Sequence, residues 1–359
     1  MTRIFRAPAF YIQGPGALAQ LGEKAATLGR SVVAICDALV LPHIEADLAE
    51  ALHRQDIVPT VIPFDADVTH KEMDRLAEDV RRIGGEVVVG IGGGRTLDTA
   101  KGVARRAGLP FISVPTVAST DAPSTRGIVI YDDQHTMIGV EQMDANPAFV
   151  IVDTAIIAKA PARFLRGGIG DALTAKFETE GAWKGTGLSK QGTRPLKTGV
   201  MLGEICYRML LEHGPGAMRV AGTGEVTADF EAVIEAVLWL SAVAFENTGL
   251  SIAHAVATEL GAIEPVRKQS LHGEHAAYGT LVQAVAEGRS ADELKELFSF
   301  CDEIGMPRRL VDLGLPVVDD AAIEELAAKC TKSPFMVNQA RKLDADDLAT
   351  AFRSVENYA

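Results

Sequence analysis

Val87-Val88-Val89-Gly90-Ile91-Gly92-Gly93-Gly94-Arg95-Thr96-Leu97-Asp98-Thr99-Ala100-Lys101 decides how this chain reads. A β-branched apolar run enters three consecutive glycines and emerges as polar and apolar residues at helical spacing. That order predicts a buried parallel strand, a turn without side chains and the start of a helix. The unpaired N–H groups and positive dipole end of such a helix suit a pyrophosphate lying close against glycine backbone. Arg95 adds a charge fitted to a phosphate oxygen. Each glycine costs backbone entropy, so a turn serving only the fold rarely needs three in a row.

Working outward, short apolar runs recur at 31–36, 60–64, 111–114, 127–131 and 149–152, with helical patterns at 41–54 and 71–83 between them. This alternation predicts βαβ units, a mainly parallel Rossmann-like sheet, and ligands beyond the carboxyl ends of its strands. After Pro161 the strand signal stops. Segments 172–184, 196–211, 228–245, 252–260, 276–286 and 291–304 carry helical spacing instead. The expected organisation is an α/β domain over 1–161 followed by an all-α domain over 162–359.

Bulk properties narrow the function class. The 359 residues carry a formal charge of −13 and show no basic block, which argues against a nucleic-acid surface. Cys36, Cys206, Cys301 and Cys330 are widely spaced with no CxxC pair, so reduced thiols and a cytoplasmic setting are expected. The N-terminal segment lacks the apolar centre of a signal peptide. The longest apolar stretch, 236–245, is too short to span a bilayer, so no membrane partner is expected.

Several residues suit chemistry, each beside a plainer structural role. Asp171 follows Gly167-Gly168-Ile169-Gly170 and by spacing alone reads as a helix N-cap. His254 sits in an apolar helical context that also fits a core histidine. His272 and His275 are three apart and share a helix face. Pro115 to Pro123 forms a hydroxyl-rich loop at a strand end, either a capping turn or a surface for a cofactor and a polyol. Asp37 closes the strand at 31–36, where a carboxylate accepts adenosine ribose hydroxyls and repels a 2′-phosphate, favouring NAD. Asp98, placed by this reading in the first helical turn, either bonds a nicotinamide-side group or pairs with Lys101.

Taken together, these segments resemble the metal-dependent polyol dehydrogenases of the iron-containing alcohol dehydrogenase superfamily, its glycerol dehydrogenase branch above all. Residues 92–101 are similar to the family's cofactor signature, usually written with Lys where Arg95 stands. The loop 115–123, Val152-Asp153-Thr154, 157–161, and Gly170-Asp171-Ala172-Leu173 also fit. His254 matches the first family histidine and His272 the second.

The resemblance implies that Asp171, His254 and His272 hold a metal and that Asp121 contacts the substrate, these four forming the catalytic set. It maps cofactor contacts onto Asp37, Gly92, Gly93, Gly94, Arg95, Asp98, Thr116, Ser119, Thr125, Gly127 and Tyr131. Iron-using relatives place a further histidine four residues after the aspartate; Ala175 stands there, which favours Zn2+ over Fe2+. Three protein ligands leave one position open, as catalytic zinc requires. The implied reaction is NAD-dependent interconversion of a vicinal diol, such as glycerol or a related polyol, with its hydroxyketone, in a homo-oligomer.

The chain departs from the family pattern at Thr125-Arg126-Gly127, at Ala257-Thr258-Glu259 and at His275. Arg126 in particular suits a substrate bearing a carboxylate or phosphate. The competing readings are a dehydroquinate synthase-like cyclase, a glycerol-1-phosphate dehydrogenase-like enzyme and a non-catalytic NAD-binding protein.

Overall fold

The structure, a computed structural model, describes residues 2–132, 137–339 and 341–358. Its strands are β1 (Phe10–Gly14), β2 (Val32–Asp37), β3 (Thr60–Phe64), β4 (Val87–Gly92), β5 (Phe111–Pro115), β6 (Gly127–Tyr131), β7 (Met137–Gln142) and β8 (Phe149–Asp153). Six form a sheet in the order β1-β8-β5-β4-β2-β3. Every pairing within it is parallel. The other two, β6 and β7, make a separate antiparallel hairpin.

The central strands are apolar on both faces because both are covered. Along β2, Val32, Ala34 and Cys36 enter one core with α1 (Leu21–Ala26) and α2 (Leu41–His53). Val33 and Ile35 enter a second core with α3 (His70–Ile83) and α4 (Gly94–Ala107). A strand buried on both faces reads as an unbroken apolar run, which is why these strands are visible in sequence. In contrast, β1 and β7, partly exposed along their length, carry no unbroken apolar run of that kind.

Beyond the short α5 (Thr154–Ile157) the chain is mostly helical: α6 (Ala162–Lys184), α7 (Lys197–Val220), α8 (Ala228–Glu235), α9 (Ser241–Glu246), α10 (Ile252–Ala262), α11 (Glu264–Gln269), α12 (His272–Ala286), α13 (Ala291–Glu303), α14 (Asp320–Cys330) and α15 (Ala345–Glu356). The single helix expected over 228–245 is instead α8 and α9 joined by a π-helical turn, Ala236–Leu240. Contacts divide the chain into two compact units. One comprises Ala7–Pro161 with Val220–Ile234; the other comprises Ala162–Arg219, Glu235 onward and the N-terminal residues up to Arg6. Among the described residues, no helix is long and apolar enough to cross a membrane. The four cysteines are buried and form no disulfide.

Two features of the α/β unit position its ligand-facing loops. The chain runs from β2 outward to β3, then returns to the other side of β2 as β4. The carboxyl ends of β2 and β4 therefore flank the topological switch point, where open parallel sheets bind ligands. The second feature is Lys101, whose side chain is 0 % exposed. Its Nζ donates to Asp98 Oδ1 (3.0 Å), the Ala122 carbonyl (2.6 Å) and the Gly127 carbonyl (2.9 Å). Asp98 Oδ2 accepts the Val129 N–H at 3.0 Å. One buried ion pair thus ties α4 to both ends of the segment 122–129.

Removing one partner of a buried pair strands the other charge. Lys101→Met is therefore expected to lower the unfolding free energy by about 3–5 kcal/mol in urea titrations. A loss under about 1 kcal/mol, the size of an ordinary surface change, would contradict this role.

Candidate functional site

In the helical unit, Asp171, His254 and His272 each offer a ligand atom, and all three atoms lie within 4.8 Å of one another. They come from three helices. Asp171 is the tenth residue of α6, His254 the third of α10, and His272 the first of α12. The N-cap reading of Asp171 is therefore incorrect: the helix begins at Ala162, and the glycines before Asp171 lie inside it. Gly170 is there for packing. A Cβ on Gly170 would fall on the carbonyl oxygen of Gly273, and one on Gly273 on the carbonyl oxygen of Gly167. Without side chains the backbones of α6 and α12 touch, setting Asp171 and His272 side by side. Tertiary contact here overrides the low helix propensity of glycine.

The donor geometry fits a small divalent cation. Asp171 Oδ1 lies 3.4 Å from His254 Nε2 and 3.6 Å from His272 Nε2. The edge of a tetrahedron with metal–ligand arms of ~2.0–2.1 Å is roughly 3.3 Å. One carboxylate and two imidazoles are also a donor set that zinc accepts. The opposite nitrogen of His254 is occupied: Nδ1–H donates to Glu178 Oε2 at 2.7 Å. Phe245 lies parallel to the same imidazole, with ring centroids 6.4 Å apart. The carboxylate of Glu274 anchors the start of α12, accepting from Arg166 on α6 (2.8 Å) and from the Leu271 N–H (2.8 Å).

Electrostatics distinguish the three histidines. Burial opposes a charge on His254, but Glu178 and Asp171 together hold its pKa well above the ordinary value. Crowding around the His272 ring depresses its pKa against the pull of Asp171, although its outer edge leaves the side chain 47 % exposed. His275 is buried, its Nε2 sharing a hydrogen bond with Ser270 Oγ at 2.8 Å. Burial, with His272 nearby, pushes its pKa down to about 3. His275 thus has a packing role in α12, apart from the cluster.

Glu178 is a functional-looking residue that sequence reading does not single out. Its signal was present: seven residues after Asp171, two helical turns along, it shares the same face of α6.

In the α/β unit, the glycine turn forms as expected at the end of β4. Gly92 has φ +156°, and a Cβ there would press on Thr96 and on Asp37 Cβ, so the fold itself requires that glycine. Gly93 is the N-cap of α4 and no side chain caps it. At Gly94 a Cβ would meet only Thr120 Oγ1 at 3.8 Å, ordinary contact. The fold does not demand this third glycine. Asp37 ends β2 beside the turn, its Oδ1 accepting the Leu39 N–H at 2.9 Å. The Thr116 N–H donates to the Gly92 carbonyl (3.1 Å), while the Thr116 hydroxyl is buried with no partner among the described residues. Asp37, Gly92–Gly94 and Thr116 are thereby brought together at the switch point.

Other expected residues are arranged differently. Asp98 lies beyond the first turn of α4, and its carboxylate is engaged by Lys101 and Val129. Arg95 is 62 % exposed and faces Asp67 Oδ1 at 3.3 Å. Asp121, half-buried, precedes the short turn Ala122–Ser124, and Ser119 is half-buried just before it. The Thr125 hydroxyl donates to the Ala122 carbonyl at 3.3 Å. Gly127 opens β6 and presents its carbonyl to Lys101. Tyr131 closes β6, its N–H donating to the Val68 carbonyl at 2.9 Å. Arg126 is buried and donates to the Met143 carbonyl at 3.2 Å, so its guanidinium already serves the hairpin.

Residues 8–154 match the model of the iron-containing alcohol dehydrogenase family. A glycerol dehydrogenase of Pseudomonas putida is 38% identical over 88% of this chain and 86% of its own length. The chain belongs to the iron-containing alcohol dehydrogenase family. A glycolaldehyde reductase of Halobacterium salinarum is 36% identical over 96% of both chains. The crystal structure of glycerol dehydrogenase from Schizosaccharomyces pombe superposes with a TM-score of 0.93 at 31% identity, covering 99% of this chain and 91% of that one. Membership of this family makes the chain an enzyme, an oxidoreductase with the α/β and helical parts described above.

The buried His275 gives a stability prediction with a definite sign. Unfolded, its imidazole takes a proton below about pH 6.5; folded, it stays neutral down to about 3. Its contribution is complete above the unfolded pKa and is lost as pH falls, by up to about 1.4 kcal/mol per pH unit. The stability advantage of the parent over His275→Gln should therefore shrink between pH 7 and 5 in denaturant titrations. A pH-independent difference would contradict a neutral, buried imidazole.

Proposed function

We propose that this enzyme interconverts a vicinal diol with the corresponding α-hydroxycarbonyl compound, using NAD and a zinc ion held by Asp171, His254 and His272. The observation that carries the reading is the convergence of one carboxylate and two imidazoles from three helices at tetrahedral-edge spacing. A zinc ion at these donors supplies Lewis-acid polarisation of the substrate oxygen. NAD supplies the hydride acceptor.

The chain's own residues account for the rest. Asp171 brings one negative charge to the site, which tempers the cation more than three neutral imidazoles do. His254 turns Nε2 toward Asp171 because Nδ1 is committed to Glu178. His272, the most open of the three, closes the donor set. Asp121 orients the diol by accepting a hydrogen bond from one of its hydroxyls; a hydrogen bond to a charged group contributes about 1.5–3 kcal/mol. Gly92–Gly94 and the uncapped start of α4 receive the pyrophosphate, with Arg95 beside it. Asp37 takes the adenosine ribose and disfavours a 2′-phosphate. Thr116, Ser119, Thr125, Gly127 and Tyr131 line the remaining cofactor surface, with Asp98 acting through Lys101 on that loop.

Zinc rather than iron is favoured by Ala175, buried one turn after Asp171, where iron-using relatives carry a further histidine. The substrate class is supported by the relatives' names. Glycerol is a vicinal diol, and glycolaldehyde is the oxidised form of another, so both activities operate on one functional group. We further propose a cytoplasmic setting, from the widely spaced cysteines, and a homo-oligomer, as the resemblance implies.

Two variants test the halves separately. His272→Ala is expected to abolish both stoichiometric zinc, read by metal analysis, and diol-dependent NADH formation; a zinc-free variant with normal turnover would overturn the assignment. Gly94→Ala is expected to keep the melting temperature, because its Cβ meets nothing closer than 3.8 Å. It should nevertheless weaken NAD at least tenfold in fluorescence titrations, about 1.4 kcal/mol. Unchanged NAD affinity would remove the turn from the cofactor site.

A further inference from the structure

Helix α10, which carries His254, begins without a cap of its own. Ser251 precedes it, but the Ser251 hydroxyl is directed to the Asn338 carbonyl and caps nothing. The N–H groups of Ser251 and His254 instead donate to Glu178 Oε1, at 2.7 and 2.9 Å. The Ala253 N–H donates to Gln283 Oε1 at 3.0 Å. Both receiving side chains are buried, one on α6 and one on α12. The two oxygens of Glu178 divide the work: Oε1 fixes the backbone of the first turn, and Oε2 takes the Nδ1–H of His254 at 2.7 Å.

Resting on the metal reading above, we infer that Glu178 is the positioning residue of the centre: it selects the His254 tautomer that leaves Nε2 bare toward Asp171 and His272. A carboxylate accepts only, so the imidazole must place its proton on Nδ1. A neutral ring with its proton there has its lone pair on Nε2, the atom 3.4 Å from Asp171 Oδ1. Partners of this kind fix the orientation of a ligating histidine and raise its basicity. Because the same carboxylate also holds the first turn of α10, ring rotation and backbone position are set together. Gln283 performs the backbone task alone, which provides the internal control.

Glu178→Gln separates the two tasks. Its amide oxygen still accepts the N–H groups of Ser251 and His254, while its NH2 faces Nδ1 as a donor. That arrangement moves the ring proton to Nε2 and blocks it as a ligand. The experiment titrates cobalt(II) into the metal-free full-length parent, Glu178→Gln and Gln283→Leu against a chromogenic chelator. The visible cobalt spectrum and the metal-free melting temperature are recorded for each.

Glu178→Gln is expected to bind cobalt about 10- to 100-fold more weakly, with a changed visible spectrum and a melting temperature close to the parent's. Gln283→Leu is expected to lower the melting temperature but keep the parent's affinity and spectrum. Equal affinity of the parent and Glu178→Gln would overturn the inference while leaving the metal centre intact. An equal affinity loss in Gln283→Leu would also overturn it, assigning Glu178 to helix capping alone. A parent chain that binds no cobalt would overturn the metal reading, and this inference with it.

Discussion

The contact between α6 and α12 is the constraint on which the helical site depends. Gly170 and Gly273 let two backbones meet where any Cβ would collide with a carbonyl. Asp171 directly follows one glycine and His272 directly precedes the other. Dense interiors leave no slack for the helices to slide past such a contact. Position in the cluster is therefore inherited from backbone packing, while orientation is added by hydrogen bonds that Glu178 accepts from His254 Nδ1–H and Glu274 from the Leu271 N–H. The result concentrates a buried carboxylate and two imidazoles, a combination costly to desolvate unless a cation compensates it.

The α/β unit solves a different problem with similar economy. Its parallel sheet changes direction between β2 and β4, opening the loops after both strands on the same edge. Gly92 is consumed by the fold, through its backbone angle and its neighbours Thr96 and Asp37. Gly94 is not: a Cβ there would meet only Thr120 Oγ1 at 3.8 Å, so the fold alone gives no reason for that glycine. Lys101 then anchors the segment 122–129 from beneath, using a charge with no exposed surface. A position in the signature that looks like a cofactor contact is partly an internal strut.

What was legible in sequence follows from how each element is buried. Strands 60–64 and 127–131 are found at the bounds their apolar runs indicate, and the helices at 41–54 and 71–83 differ by a residue at one end. Strand β1 was not legible, since its apolar run is only Phe10-Tyr11-Ile12 before Gln13 and Gly14. Local rules misplaced Asp171: a run of glycines normally breaks a helix, but here the absent side chain of Gly170 makes room for α12. Asp98 presented two choices that sequence left open, and the structure shows its pair with Lys101. Glu178 was invisible for another reason. Its spacing from Asp171 marks a shared face of α6, but its significance lies in a partner 76 residues away.

The central claim is that Asp171, His254 and His272 together hold a metal in this oxidoreductase. X-ray absorption on the zinc-loaded chain tests it most directly, because imidazole, carboxylate and thiolate ligands scatter differently. The account predicts a nitrogen and oxygen shell with the outer-ring scattering of two imidazoles and no sulfur, since the cluster is Asp171, His254 and His272 and holds no cysteine. Zinc bound through sulfur, or without imidazole scattering, would contradict it.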